Sequence, residues 1–509
     1  MAFRDLREFI KLLDERGELV RVRAQVDPEL EITEITDRVS KGPAEQNKAL
    51  LFENVKDSAM PVLINAFGSE RRMAWALGVG NLDELNQKLA AVIDLRLPQG
   101  LGAALNRAGD LLGVIRSIGL GPTVVSRAPC QEIVHTGDDL SLSPLPILKC
   151  WPKDGGRYIT LPQVITRDPV TGTRNVGMYR LQVLEAGGPG QQSQLAMHWQ
   201  RHKGGAEHER VAREKAKPQI PCAIALGGDP AAMWCSSAPL PPNIDEYLLA
   251  GWLRGKPVEF VKCITQPIQA PAHAEIVVEG YVDPNEQRDE GPFGDHTGFY
   301  TPVDLFPVLH VTAITHRREP IYPTTIVGKP PMEDAWMGKA TERLFLPLVR
   351  LFLAEVVDYS MPAEGVFHNL VIVSVKKRFP GHPQKVMYGI WGLGLLMLAK
   401  AIVVVDEEVN VHDLSEVAWR VLGNVDWKRD VTIVQGPVDQ LDHSALRPSL
   451  GGKIGIDATA KGPEDGHPRG WPDEIEMSPE IKALVDERWN EYGFAHLSTK
   501  DTKRHEESN

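Results

Sequence analysis

From about Glu132 to His316 the chain is cut into short β-type runs: Gln163 to Thr166, Val176 to Glu185, Leu195 to Gln200, Ile220 to Leu226, Glu275 to Val282 and Pro307 to Thr315. Their shortness and the Gly-rich connections between them predict a barrel or a curled sheet. The flanks read differently. Asp5 to Leu19 and Leu82 to Leu95 carry helical spacing, and Leu50 to Val55 and Pro61 to Phe67 read as strands, a small mixed unit. After Lys329-Pro330-Pro331, helical stretches (Ala340 to Val357, Gln384 to Ala399, Leu414 to Leu422) alternate with strand-like Leu370 to Val375, Ala401 to Val405 and Asp430 to Val434. That alternation predicts an α/β domain. Pro479 to Tyr492 reads as one more amphipathic helix, and the tail from Ser498 is polar.

The chain has 509 residues, more than one hydrophobic core organises, so several domains are expected. The fold class is α/β (α+β), divided as 1–118, 119–325, 326–475 and a closing helix and tail at 476–509. A formal net charge of −12 without a Lys/Arg run argues against a nucleic-acid partner. The five cysteines are odd in number and form no Cys-x-x-Cys pair, which fits free thiols in a reducing cytoplasm. The start lacks the apolar core of a signal peptide. The most apolar run, Trp391 to Val405, is interrupted by Lys400 and is shorter than the roughly 20 residues a membrane span needs. It reads as a buried helix turning into a strand. No Walker-type loop, His-Glu-x-x-His, Gly-x-Ser-x-Gly or Gly-x-Gly-x-x-Gly is present, so nucleotide and serine hydrolysis fall in rank.

Four stretches carry chemistry. Glu290-Gly291-Pro292-Phe293-Gly294-Asp295-His296-Thr297-Gly298 holds three ionisable groups on a backbone that Gly and Pro keep out of a regular helix. A solvated turn is the ordinary reading of such a stretch; a loop aiming its acids into a cavity is the alternative. Arg174 to Val183 is strand-like yet carries Asn175 and Arg180. Arg180 either faces inward, where it needs an acid such as Glu290 or Asp295, or points outward as a common strand charge. Positions 175 and 180 fall on opposite faces of an uninterrupted strand, so a bulge at Gly177 or a bend is needed to bring both to one site. His198-Trp199-Gln200-Arg201-His202-Lys203-Gly204 is a basic, Gly-ended turn able to cradle a phosphate or to be plain surface. Asn243-Ile244-Asp245-Glu246 reads as a helix start with Asn243 at the N-cap; the other reading makes Glu246 a hard-metal ligand with Asn175 and His202.

Together with Asp5-Leu6-Arg7-Glu8-Phe9, Glu31-Ile32-Thr33-Glu34-Ile35, Leu51-Phe52-Glu53-Asn54, Leu226-Gly227-Gly228-Asp229-Pro230, Glu279-Gly280-Tyr281, Tyr388-Gly389-Ile390-Trp391, Val404-Val405-Asp406 and Gly455-Ile456-Asp457-Ala458-Thr459, these stretches make the whole chain resemble the UbiD family of prenylated-FMN-dependent (de)carboxylases. The resemblance implies an N-terminal α/β region, a central split β-barrel that binds the flavin, and a C-terminal α/β domain used in homo-oligomerisation, as a dimer or hexamer. It implies Arg180, Glu290 and Asp295 as the catalytic set, with Asp295 the proton donor. It implies Asn175, His202 and Glu246 as ligands of Mn²⁺ bridging to the cofactor phosphate. Met178, Tyr179, Arg180, His198, Trp199, Gln200, Lys203, Gly204 and Lys400 would contact prenylated FMN, and Ser236 and Ser237 would lie beside the phosphate and K⁺. Asp at position 295 is the residue of the ubiquinone-pathway subgroup, so the substrate implied is 3-polyprenyl-4-hydroxybenzoate. Another aromatic acid, such as a naphthoate of a menaquinone route, is the near alternative, and an FMN-dependent oxidoreductase the distant one. A flavin prenyltransferase would supply the cofactor. A polyprenyl substrate would bring this otherwise cytoplasmic enzyme to the membrane surface. As an acid in an apolar pocket, Asp295 is expected to have a raised pKa.

Overall fold

A computed structural model describes residues 2–93, 121–200, 203–241 and 244–493. The tail from Ser498 lies outside these, as do His202 and Asn243. Two compact units divide the chain: Met1–Pro347 together with Gln440–His443, and the remainder from Leu348 onward.

The first unit opens on helix Leu6–Glu15, started by Asp5, whose carboxylate accepts from Glu8 N. Its buried residues, Leu6, Phe9, Ile10 and Leu13, recur at helical spacing and seat it on the core. Arg7 then pairs with the buried Glu275 (3.0 and 3.1 Å), fastening the helix to the start of a central strand. Strands Leu19–Val26, Ala49–Val55 and Val62–Ile64 form a small sheet whose fourth member, Tyr322–Pro323, comes from far along the chain.

The central sheet has nine strands. Eight follow the order Tyr158–Ile159, Leu181–Glu185, Gln194–Met197, Asp304–His316, Ile276–Glu290, Ile220–Leu226, Gln163–Arg167 and Arg174–Gly177, and Ile133–Thr136 pairs onto Asp304–His316. Alternation sorts the side chains of Ile220–Leu226. Cys222, Ile224 and Leu226 enter one hydrophobic cluster, while Ala223 and Ala225 face the other, shared with helix Pro230–Cys235.

The run read from sequence as Val176 to Glu185 is two strands, and the break decides the shape of the sheet. Residues 178–180 join the eighth strand of the path to the second. In a flat sheet those strands would lie about 29 Å apart, at ~4.8 Å per strand. Four residue steps reach at most about 14 Å. The sheet is therefore strongly curled, and Met178, Tyr179 and Arg180 bridge its two ends.

In the second unit a five-stranded sheet runs in the order Val356–Ser360, Leu370–Val375, Ala401–Asp406, Leu450–Asp457 and Val431–Pro437. The two inner pairings are parallel and the outer two antiparallel. The helix expected over Gln384 to Ala399 ends at Trp391, where Gly392 caps it, and a 3₁₀ turn over Gly394–Leu398 leads into the strand. Gly394, at φ +50°, turns the chain out of the helical path there. Among the described residues no helix is long and apolar enough to cross a membrane.

Candidate active site

Glu290 ends the long strand Ile276–Glu290, and the loop that follows is held residue by residue. Gly291 N donates to Gln182 Oε1 (2.8 Å), Pro292 O accepts from Gly155 N (2.8 Å) and from the Tyr158 hydroxyl (3.2 Å), and Gly294 N donates to Asp154 Oδ1 (2.8 Å). Gly291 has φ +102°, where a side chain would be strained. At Gly294 a Cβ would sit 2.3 Å from the Trp151 ring, whose Nε1 is tied to Val327 O at 2.8 Å. A solvated turn has none of this, and Glu290 and Asp295 are buried.

Arg180 reaches both acids from the end-to-end bridge. Its Nε and Nη2 hold Glu290 in a two-pronged pair (2.7 and 2.9 Å), Nη1 bonds Asp295 Oδ2, and Nη2 also donates to Thr301 Oγ1 (3.1 Å). The guanidinium lies over the Phe293 ring at 4.6 Å. His198 completes the cluster: its Nδ1 is 3.2 Å from Glu290 Oε2 and its Nε2 2.9 Å from the amide nitrogen of Gln440. An amide nitrogen only donates, so Nε2 accepts and the ring proton sits on Nδ1, directed at Glu290. The bend foreseen near Gly177 is the break at 178–180, which frees Arg180 from strand parity.

Burial pushes the Glu290 carboxyl up, but hydrogen bonds from His198 and Arg180 outweigh it and bring it down to about 2. Burial, reinforced by the Arg180 charge, holds His198 below its usual value despite Glu290. Asp295 corrects the expectation from sequence. Burial does push it upward, but the Arg180 charge and hydrogen bonds from His296 overcome that and hold it well below the carboxylate range. Sequence reasoning gave Arg180 one partner, and the fold gives it two.

Beside this cluster the chain builds a second one. Glu246 opens helix Glu246–Arg254; the N-cap is Asp245, which accepts from Tyr247 N (3.0 Å), rather than Asn243. Glu246 turns inward and accepts from Val176 N (2.8 Å), next to Asn175. Burial drives its carboxyl up to about 7 despite the backbone hydrogen bonds it accepts. Asn175 contacts the Tyr179 hydroxyl (3.5 Å), and Gly204 passes so close that a Cβ would lie 2.1 Å from Asn175 Oδ1. The third expected ligand, His202, lies outside the described residues, among which no group of three His, Cys, Asp or Glu forms a metal site. Gly204 also begins helix Gly204–Glu214, whose N-cap residue Lys203 makes no side-chain cap and whose Gly205 N donates to the Tyr179 hydroxyl (3.3 Å), and the buried Trp199 Nε1 has no hydrogen-bond partner. The orphan Trp199 donor beside a helix N-terminus and the buried Glu246 carboxyl fit an anionic group held beside a metal ion.

Ser236 and Ser237 donate to Met233 O (2.6 Å) and Trp234 O (2.7 Å), and Ser236 O accepts from Met178 N (2.9 Å), which ties the bridge to helix Pro230–Cys235. Tyr179 and Trp199 are buried, and Lys203 N donates to Gln200 O (3.0 Å). Lys400 belongs to the second unit, where its Nζ donates to Ser444 Oγ (2.7 Å). Sequence reasoning missed Thr301, Phe293, Asp154 and Gln440. The first two stand inside or beside the loop it singled out; Gln440 lies 242 residues from His198 and carries no local signal.

An evolved dimeric form of the UbiD-class enzyme HmfF from Pelotomaculum thermopropionicum, solved with prenylated FMN, is 31% identical and superposes with a TM-score of 0.74, covering 94% of this chain and 98% of that one. The chain belongs to the UbiD family. Its three parts match the 3-octaprenyl-4-hydroxybenzoate carboxy-lyase N-terminal domain over residues 10–92, the Rift-related domain over 123–330 and the C-terminal domain over 335–458. This UbiD protein also resembles Sedimentibacter hydroxybenzoicus vanillic acid decarboxylase in closed form (28% identity, TM-score 0.83, 97% of this chain and 99% of that one). An uncharacterized protein of Aquifex aeolicus is 53% identical over 493 residues, 97% of this chain and 99% of the relative. As a UbiD enzyme the protein is a carboxy-lyase.

Proposed function

We propose that this enzyme removes CO₂ from 3-polyprenyl-4-hydroxybenzoate in ubiquinone biosynthesis, using prenylated FMN. The observation that carries the reading is one buried guanidinium shared by two acids, with Glu290 bound twice and Asp295 once. Loss of CO₂ from an aromatic acid leaves electrons on an sp² carbon, and prenylated FMN, when bound, supplies the sink for them. Asn175, His202 and Glu246 would hold Mn²⁺ against its phosphate. Met178, Tyr179, His198, Trp199, Gln200, Lys203 and Gly204 would contact it, with K⁺ beside Ser236 and Ser237. The curl of the central sheet supports a split barrel around that group.

The protein's own work is on the carboxylate and the proton. Glu290, held by two Arg180 nitrogens and by His198, keeps its place. Asp295, held by one, is the partner a substrate carboxylate displaces from Arg180 by a charge-assisted bond of the same kind. Once the guanidinium turns to the substrate, Asp295 loses the charge that kept it ionised, and burial then raises its proton affinity. It takes up a proton and gives it to the ring carbon as CO₂ leaves. Asp at 295, and the exposed apolar Phe299, Val303 and Leu305 that follow the loop, support a substrate with an apolar tail. The likeness to a vanillic acid decarboxylase favours a second reading, an untailed aromatic acid. In the second unit, exposed Trp419, Leu422, Trp427 and Ile433 support homo-oligomerisation.

The test is co-expression with a flavin prenyltransferase and measurement of CO₂ release from 3-polyprenyl-4-hydroxybenzoate, a naphthoate and vanillate. We expect the polyprenylated acid to be turned over fastest. Cofactor-loaded protein inert on all three would refute the decarboxylase assignment, and NAD(P)H consumption without CO₂ would favour an oxidoreductase.

A further inference from the structure

We infer that His296 is the relay that recharges Asp295 with protons, taking one from solvent at Nε2 and passing one from Nδ1 to Asp295 Oδ1. The inference rests on the decarboxylase reading, in which every turnover replaces a carboxylate by a hydrogen and so consumes one proton. Asp295 has two oxygens through which it can be recharged. Oδ2 faces Arg180, which keeps its protons at any working pH. Oδ1 accepts from His296 N (2.7 Å) and from His296 Nδ1 (2.8 Å). Among the described residues, the His296 ring is thus the side chain bonded to Asp295 that gives and takes protons near neutral pH. The cluster's other histidine, His198, is engaged with Glu290 and Gln440 instead.

Position agrees with this. The Asp295 side chain is 10% exposed and that of His296 18%, so the imidazole is the more open to water. A tight turn fixes the pair: Asp295 N donates to Phe299 O (3.1 Å) and Gly298 N to Asp295 O (2.9 Å). A third acid, Asp334 on the first turn of helix Glu333–Phe352, is driven up to about 7 by burial and feels the charges of His296 and Asp295.

The step balances. Solvent protonates Nε2; the Nδ1–H bond breaks as an O–H bond forms on Oδ1, leaving a neutral ring with its proton on Nε2. Asp295 then delivers its proton to the ring carbon that lost CO₂ and returns to carboxylate; the neutral imidazole turns about Cβ–Cγ, Nδ1 takes a proton from solvent as Nε2 releases its own, and the ring turns back, so that each cycle brings in one proton net.

The experiment follows ring-hydrogen exchange of the product in D₂O alongside CO₂ release, in cofactor-loaded wild type, His296→Asn and His296→Ala. In His296→Asn we expect bound flavin to stay at the wild-type level while CO₂ release and exchange both fall about 100-fold. Free imidazole should restore His296→Ala at least several-fold. In [¹⁵N]histidine-labelled protein without cofactor, the His296 Nδ1 proton should exchange slowly with solvent and lose that protection in Asp295→Ala. Wild-type rates in His296→Asn, no rescue by imidazole, or equal Nδ1 exchange in both labelled proteins would overturn the relay alone. Loaded wild type that releases no CO₂ and exchanges no ring hydrogen would overturn the decarboxylase reading and the relay with it.

Discussion

At the scale of residues the site turns on an inequality: Arg180 holds Glu290 with two nitrogens and Asp295 with one. The two-point pair is the anchor and the one-point pair the exchangeable contact. Asp295→Asn keeps the shape and removes the transferable proton. Turnover should fall about 100- to 1,000-fold, with flavin content unchanged by absorbance. Glu290 gives a stability test. Its folded carboxyl is depressed from 4.5 to about 2, so its contribution is fully present above the unfolded value and is lost as pH falls through that window. Urea unfolding between pH 5 and about 2 should show a steep loss of stability in wild type and a shallower one in Glu290→Gln. The trio was legible through the family resemblance; from the residues alone, an inward Arg180 paired with Glu290 or Asp295 was one of two open readings. The protonation state of Asp295 was not legible, because it depends on how many acids one guanidinium serves.

At the scale of elements, the site is made by a three-residue bridge and a clamped loop. Gly294 shows how tightly the loop is held: in Gly294→Ala the new methyl would meet Trp151 at 2.3 Å, and that indole is fixed by Val327 O. Overpacking of this kind costs about 1–3 kcal/mol. Thermal unfolding should register it, and turnover should drop about 10-fold or more through misplacement of Asp295. The strands over 163–167 and 220–226 were readable from their apolar runs. The division of 176–185 was foreseen only as a bulge or bend, since Val176 to Glu185 reads as one continuous strand pattern and the bridge is imposed by which partners each half finds. The helix start at Asp245 likewise followed from Glu246 turning inward to Val176 N, a contact 70 residues away.

At the scale of the whole molecule, the first unit brings Asn175 and Glu246 together from either side of the Gly204 turn. Glu246→Ala should lose bound flavin and Mn²⁺ together, measured by absorbance and by elemental analysis; prolonged chelation of wild type should release flavin in the same way, and Asp295→Asn should not. The sequence by itself determined the α/β class, because hydrophobic periodicity is local, and its motifs carried the resemblance that pointed to the family and to the candidate site residues. Only the tertiary structure decided that Arg180 is shared, that Gln440 orients His198 and that the sheet's ends meet across residues 178–180. Each of these depends on which distant partner occupies a given few ångströms, and chain order does not encode that distance.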